Sequence, residues 1–180
     1  GGVIDVIDTS LQSKVSEMRK SGLNIMMSMK QDAKPVSFIE DCAVELKDLA
    51  EYTDGLNKIF DKYNTKGTWY AHASVGCLHV RPVLNMKLQE DVSKMRNIAN
   101  ETSHLVKKFS GSYSGEHGDG IARSEFNEVM FGKNMNNLFR TIKKTFDPNN
   151  IFNPGKIIDA PKMDNRDLFR YAPSYNAENI

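Results

Sequence analysis

A chain of 180 residues, 39% hydrophobic and 26% charged, is sized for one domain around a single core and is neither disordered nor fibrous in composition. Its 24 basic and 23 acidic side chains leave a formal charge of +1, which argues against a nucleic-acid groove or a basic membrane-surface patch as the main business. The longest apolar stretch, residues 23–29, is interrupted by Asn24 and Ser28 and falls far short of the roughly 20 residues of a membrane span.

Gly1-Gly2 opens the chain without Met, which reads as a piece cut from something longer, and no secretory leader is visible. Leu11, Val15 and Met18, then Leu23, Met26 and Met27, recur at helical spacing; Thr9 or Ser10 is the expected N-cap, and Gly22 the expected interruption. After Lys34-Pro35, residues 36–40 alternate as a strand. Leu46, Leu49, Leu56, Ile59, Phe60 and Tyr63 form a second helical stripe, ending near Asn64 and Gly67. Residues 68–72 and 78–83 are β-like with a small-residue break between them, an expected hairpin. A long amphipathic helix spans 88–109, followed by a glycine-rich segment, 110–120. Residues 124–131 and then Met135, Leu138, Phe139 and Ile142 predict two further helices, closed by the turn Asp147-Pro148-Asn149-Asn150. The polar, aperiodic residues 160–180 read as a tail or linker outside the core. The whole predicts an α+β fold, an antiparallel sheet with helices on one face.

Three of the four histidines fall in two short segments. His72 and His79 are seven apart, and in one straight strand an odd spacing places side chains on opposite faces. Ser74-Val75-Gly76 offers a bend that lets both imidazoles converge; satisfied polar strand residues are the equal alternative. Glu116-His117 is framed by Gly115, Gly118 and Gly120, which suits close backbone approach to a ligand and equally an ordinary turn. Two histidines and a carboxylate would make a three-ligand metal site with open positions, leaving His117 for acid/base work. Arg81 and Arg123 are candidates to pair with a substrate carboxylate, with surface ion pairs as the alternative. His104, on the long helix, reads as solvated or capping, Cys77 as a small packed residue, Trp69 and Tyr70 as core or cleft wall, and Lys143-Lys144 as a solvated helix face. Cys42 and Cys77 alone make no disulfide framework, so a reducing, cytoplasmic setting is expected.

Four stretches, in order, resemble the C-terminal domain of the FAD-linked oxidases, the family of D-lactate dehydrogenases, glycolate oxidase subunits and D-2-hydroxyglutarate dehydrogenases. They are Pro35-Val36-Ser37-Phe38-Ile39-Glu40-Asp41, Ala71-His72-Ala73-Ser74-Val75-Gly76-Cys77-Leu78-His79-Val80, Ser114-Gly115-Glu116-His117-Gly118-Asp119-Gly120, and Phe146-Asp147-Pro148-Asn149-Asn150-Ile151-Phe152-Asn153-Pro154-Gly155-Lys156. The resemblance implies a ferredoxin-like substrate or cap domain over residues 1–159, of the vanillyl-alcohol-oxidase type. It implies His72, His79 and Glu116 as ligands of a divalent metal, Zn or Mn, and His117 close to substrate and flavin. Asn153 and Cys77 occupy positions it places at the cofactor. Many members read Gly-Asp-Gly-Asn where this chain has Ser74-Val75-Gly76-Cys77, so the polar contacts of the Asp and Asn do not carry over. The variant resembles a branch fused to an iron–sulfur module.

On this reading the chain is the substrate-binding domain of an FAD-dependent enzyme that oxidises a D-2-hydroxy acid (lactate, 2-hydroxyglutarate or glycolate type). An N-terminal FAD-binding domain lies elsewhere, the electron acceptor is unspecified, and contact with the membrane is at most peripheral through that acceptor. The isolated fragment is expected to be inactive. A metal-dependent hydrolase and a non-catalytic docking domain are the competing expectations.

Overall fold

The computed structural model describes residues 4–170. Its elements run α1 (Thr9–Met27), β1 (Lys34–Pro35), β2 (Cys42–Ala43), α2 (Leu49–Lys62), β3 (Gly67–His72), β4 (Cys77–Leu84), α3 (Gln89–Lys108), α4 (Asn127–Phe131) and α5 (Lys133–Phe146). The predicted α+β architecture is present, and every strand pairing is antiparallel.

β4 organises the sheet. It pairs along its length with β3 on one edge, and on the other with β1 and β2 in succession. Along β4 the side chains alternate: Leu78, Val80 and Leu84 enter the core, whereas Cys77, His79 and Arg81 take the opposite face. The core is closed by Tyr52, Leu56, Ile59 and Phe60 of α2 and by Val92, Met95, Ile98, Ala99 and Val106 of α3. Trp69, opposite Val80, sits at the core edge with its ring 6.0 Å from that of Phe60.

Residues 36–40 do not form the predicted strand. The residues flanking it pair with β4, Lys34–Pro35 as β1 and Cys42–Ala43 as β2, but the segment between them leaves the ladder. The physical cause lies in β4: Pro82 accepts from Val36 N–H through its carbonyl, so the edge facing this segment is the one where proline lacks an N–H. The detour delivers Glu40 and Asp41 beneath the sheet face that carries His79.

Other expectations are corrected as well. Asp8, not Thr9 or Ser10, caps α1, its carboxylate accepting from Leu11 N–H at 2.6 Å. The helix also runs through Gly22, since a single glycine costs only about 1 kcal/mol. Its apolar residues Leu11, Val15 and Met18, at the expected helical spacing, are exposed. The described part of the expected tail packs on the body: Met163 is buried, Phe169 rests against the core, and Asp164 pairs with Arg96. The predicted turn at Asp147 is present, and Lys143 binds Asp147 and the Phe152 carbonyl instead of forming a purely solvated face.

The hairpin turn depends on Gly76, which has φ 71°. A Cβ there would lie 1.9 Å from the Val44 carbonyl oxygen, which is backbone and cannot swing away. Gly76→Ala is therefore expected to destabilise by about 2 kcal/mol or more, combining left-handed strain with the clash. Denaturant unfolding checks it, and a loss under about 0.5 kcal/mol would contradict this role of the turn.

Candidate active site

The hairpin removes the spacing problem of His72 and His79. His72 pairs with Cys77 and Tyr70 with His79, so the two imidazoles are diagonal neighbours on one face of an antiparallel pair. Their rings are 5.0 Å apart at 87°, and Tyr70 stacks over His79 at 5.8 Å.

Glu116 and His117 reach the same face from the glycine-rich loop. The loop is held by Asp41, which is fully buried with φ 79°. Its Oδ1 accepts from Glu116 N–H at 2.9 Å, and its Oδ2 from His117 N–H at 2.9 Å and the Ser114 hydroxyl at 2.7 Å. Its carbonyl accepts from Gly115 N–H at 2.6 Å. Burial alone would raise the Asp41 carboxyl; the His117, Ser114 and Glu116 hydrogen bonds outweigh it and hold it below its ordinary value. Three donors on one buried carboxylate thus fix the direction in which residues 116 and 117 point.

With the loop so placed, Glu116 Oε1 lies 3.0 Å from His79 Nε2, 3.4 Å from His72 Nε2 and 3.5 Å from His117 Nε2. His117 stacks face to face on His79, 5.0 Å between centroids and 6° between planes. Burial pushes the His79 imidazolium down, opposed in part by Glu40 and Glu116, so the ring favours the neutral form that a metal requires. His79 Nδ1 is buried without a partner. Imidazole nitrogens around one carboxylate are donors of the kind that suits a divalent ion such as Zn or Mn, and both His72 and His79 approach Glu116 Oε1.

Two groups of donors have ligand atoms within 4.8 Å of one another among the described residues, Asp41, Cys77, His79 and Glu116, and Glu40, His79 and His117; His72 is in neither. In the first, Asp41 is already saturated by donors. Burial and the neighbouring carboxylates push the Cys77 thiol up to about 11, so it stays protonated. Cys77, which the resemblance put at the cofactor, is 5% exposed and directs Sγ to Asp41 Oδ1 at 3.6 Å. Asn153 is exposed and accepts from Lys156 at 3.4 Å. His104 is exposed on α3 beside its own Asn100 carbonyl, as expected for a solvated helix residue.

The two arginines expected to bind substrate are committed elsewhere. Arg123 is buried and donates to the carbonyls of Glu40 and Gly118 at 2.8 and 2.6 Å, a structural brace under the loop. Arg81 lines the pocket but is paired with Glu40 at 2.6 Å and Ser37 at 2.8 Å. Arg19, on α1, was not singled out by the sequence. It enters the pocket wall and binds only neutral groups among the described residues: the Tyr70 hydroxyl at 2.9 Å, the Ala71 carbonyl at 3.4 Å and His72 Nδ1 at 3.1 Å. Its positive charge is unmatched there. The recess bounded by Arg19, Lys20, Met26, Tyr70, His72, His79, Arg81, Glu116 and His117 measures about 400 Å³, in the range of small-molecule sites.

Fold and site together define an α+β domain with imidazoles, a carboxylate and an uncompensated guanidinium lining one recess. The chain belongs to the family of FAD linked oxidases, C-terminal domain, which matches residues 3–157. It is 37% identical over 144 residues to the D-2-hydroxyglutarate dehydrogenase of Haemophilus influenzae, covering 80% of this chain and 14% of that protein. It is 34% identical over 155 residues to the enzyme of the same name from Escherichia coli, covering 83% and 15%. The glycolate oxidase subunit GlcD of Bacillus subtilis is 27% identical over 143 residues, covering 79% and 30%. The chain therefore spans only about one-seventh of the length of its dehydrogenase relatives. No helix among the described residues is long and apolar enough to cross a membrane.

Proposed function

We propose that these residues are the substrate-binding part of an FAD-dependent oxidoreductase that converts a D-2-hydroxy acid to the 2-oxo acid. The observation that carries this reading is the convergence of His72, His79 and His117 on Glu116 beside the uncompensated Arg19, in a chain of this family. Arg19 pairs with the substrate carboxylate, for which a guanidinium offers a matched pair of donors. A carboxylate arriving there draws Arg19 away from His72 Nδ1 and leaves that imidazole free to take another partner. Tyr70 and Met26 wall the recess and limit water.

Oxidation removes two hydrogens. The hydroxyl proton goes to His117, and the α-hydrogen leaves with its electron pair as hydride, so that C–H and O–H bonds break and a C=O bond forms. FAD, when bound, accepts that hydride. A divalent ion, Zn or Mn, would be held by His72, His79 and Glu116 and would supply Lewis acidity to the substrate oxygens. The names of the relatives favour D-2-hydroxyglutarate, with D-lactate and glycolate as the other members of the class. An iron–sulfur module elsewhere in the full-length protein would carry electrons onward, in a cytoplasmic setting.

The test is a turnover screen of the full-length protein with D-2-hydroxyglutarate, D-lactate and glycolate. One hydroxy acid is expected to turn over, with activity lost on chelation and regained with Zn or Mn. Arg19→Ala is expected to raise its KM by about tenfold, the worth of one charge-assisted pair. Turnover of none of the three, or ester or amide hydrolysis without flavin reduction, would overturn the reading.

A further inference from the structure

Glu40 belongs neither to the expected site nor to the core, yet its side chain is only 10% exposed, and charged groups are rarely buried without a specific partner. Its two oxygens are divided. Oε2 accepts from Arg81 Nη2 at 2.6 Å, and Oε1 faces His117 Nδ1 at 3.0 Å. Arg81 is itself fixed by Ser37 at 2.8 Å, and the Glu40 carbonyl is held by Arg123 at 2.8 Å, so both backbone and side chain of Glu40 are anchored.

A carboxylate bound to a guanidinium has only lone pairs to offer, so the shared hydrogen at Oε1 belongs to His117. A neutral imidazole that donates from Nδ1 carries its lone pair on Nε2. That nitrogen points to the Glu116 side of the recess, and the ring plane is set by the stack on His79. The next residue, Asp41, holds the backbone N–H of the same histidine. Two consecutive acidic residues therefore fix His117 twice, Asp41 by its main chain and Glu40 by its ring.

We propose that Glu40, braced by Arg81, is the positioning residue for His117: it selects the Nδ1–H tautomer, and so makes Nε2 the atom that accepts the substrate's hydroxyl proton. The inference rests on the acid/base role of His117 given under the proposed function. As the proton arrives at Nε2, the imidazolium keeps its Nδ1–H bond to Glu40, and the hydride departs from the α-carbon to FAD. This also gives Arg81 its role: it balances the buried Glu40 charge and does not bind substrate directly.

The experiment compares Glu40→Gln, Glu40→Asp and His117→Ala in the full-length flavoprotein, with 15N-histidine NMR of the wild type and Glu40→Gln. A glutamine can offer its NH2 to Nδ1 and so stabilise the opposite tautomer. Glu40→Gln is expected to lower kcat by about 10²-fold or more while KM and the flavin spectrum hold, because the tautomer and not the binding site is altered. Glu40→Asp, which keeps an acceptor-only carboxylate, is expected to recover most of that loss. In the spectra, the His117 proton is expected on Nδ1 in the wild type and on Nε2 in Glu40→Gln. A slow His117→Ala beside a Glu40→Gln of wild-type kcat overturns this inference alone. Equal impairment of the Gln and Asp variants, or a wild-type His117 protonated on Nε2, also overturns it. Wild-type turnover in His117→Ala overturns both the inference and the reading beneath it.

Discussion

Replacing His117 by Ala in the full-length protein is expected to slow hydroxy-acid oxidation by roughly 10²–10⁴-fold, the usual worth of a positioned general base. Stability and flavin content are expected to hold, because the ring is 44% exposed and packs on the site face instead of in the core. KM is expected to change little, since the proposed grip on the carboxylate is that of Arg19 and not of the imidazole. Steady-state kinetics at saturating hydroxy acid check the prediction. A fall in KM-dependent rate alone, with kcat intact, would make His117 a binding group and not a base.

The second large effect concerns stability. Asp41→Ala removes the acceptor for Glu116 N–H, His117 N–H and the Ser114 hydroxyl, and leaves the Arg123 guanidinium, 3.9 Å away, without its nearest anion. Breaking one side of such a buried arrangement costs about 3–5 kcal/mol. Asp41→Asn keeps the shape but turns an NH2 toward one of these donors, so a smaller loss of about 1–3 kcal/mol is expected. Denaturant unfolding measures both, and an Asp41→Ala loss under 1 kcal/mol would contradict the account of the loop. The pH dependence has a definite sign. The folded-state Asp41 carboxyl titrates below 3.8, so its contribution is complete above that value and is lost as pH falls through the folded one. His79, held below 6.5 by burial, acts in the same sense: the unfolded chain takes up a proton first, so stability begins to decline below about that pH. In wild-type protein both groups make acid destabilising, and the Asp41 variants are expected to lose only the lower-pH part.

Much of this architecture is written in local patterns. The stripe Leu56, Ile59, Phe60 and the run from Val92 to Val106 specify α2 and α3, since a helical period needs only neighbours to be legible. The hairpin is equally local: a break at Gly76 between two β-like runs brings His72 and His79 to one face, and the motif containing Glu116 supplies the third donor. The roles of Glu40 and Asp41 are not local. Each acts on His117 across more than 75 positions, and nothing in the 36–40 alternation indicates that Pro82 of a distant strand breaks the ladder and sends these carboxylates under the site. Arg19 was hidden for a similar reason. It sits on α1 among Leu11, Val15 and Met18, whose spacing marks a helix but not which face meets the domain; those residues are exposed and the arginine lines the recess. Arg81 and Arg123 were attractive as carboxylate binders because charge is visible in a sequence while its neutralisation is not. Glu40 holds one, and backbone carbonyls the other. The polar residues after Ala160 likewise gave no sign that Met163 would bury or that Asp164 would meet Arg96.

The central claim is that a hydroxy acid gives up its proton and hydride within the recess shaped by His72, His79, Glu116 and His117. The most direct measurement is anaerobic stopped-flow reduction of the flavin in the full-length protein, by the hydroxy acid that the turnover screen selects, with hydrogen or deuterium at its α-carbon. The account predicts bleaching of the oxidised flavin with a primary isotope effect in the wild type, and at least about 10²-fold slower bleaching in His117→Ala. Bleaching at the wild-type rate in His117→Ala, or a flavin that no 2-hydroxy acid reduces, would contradict it.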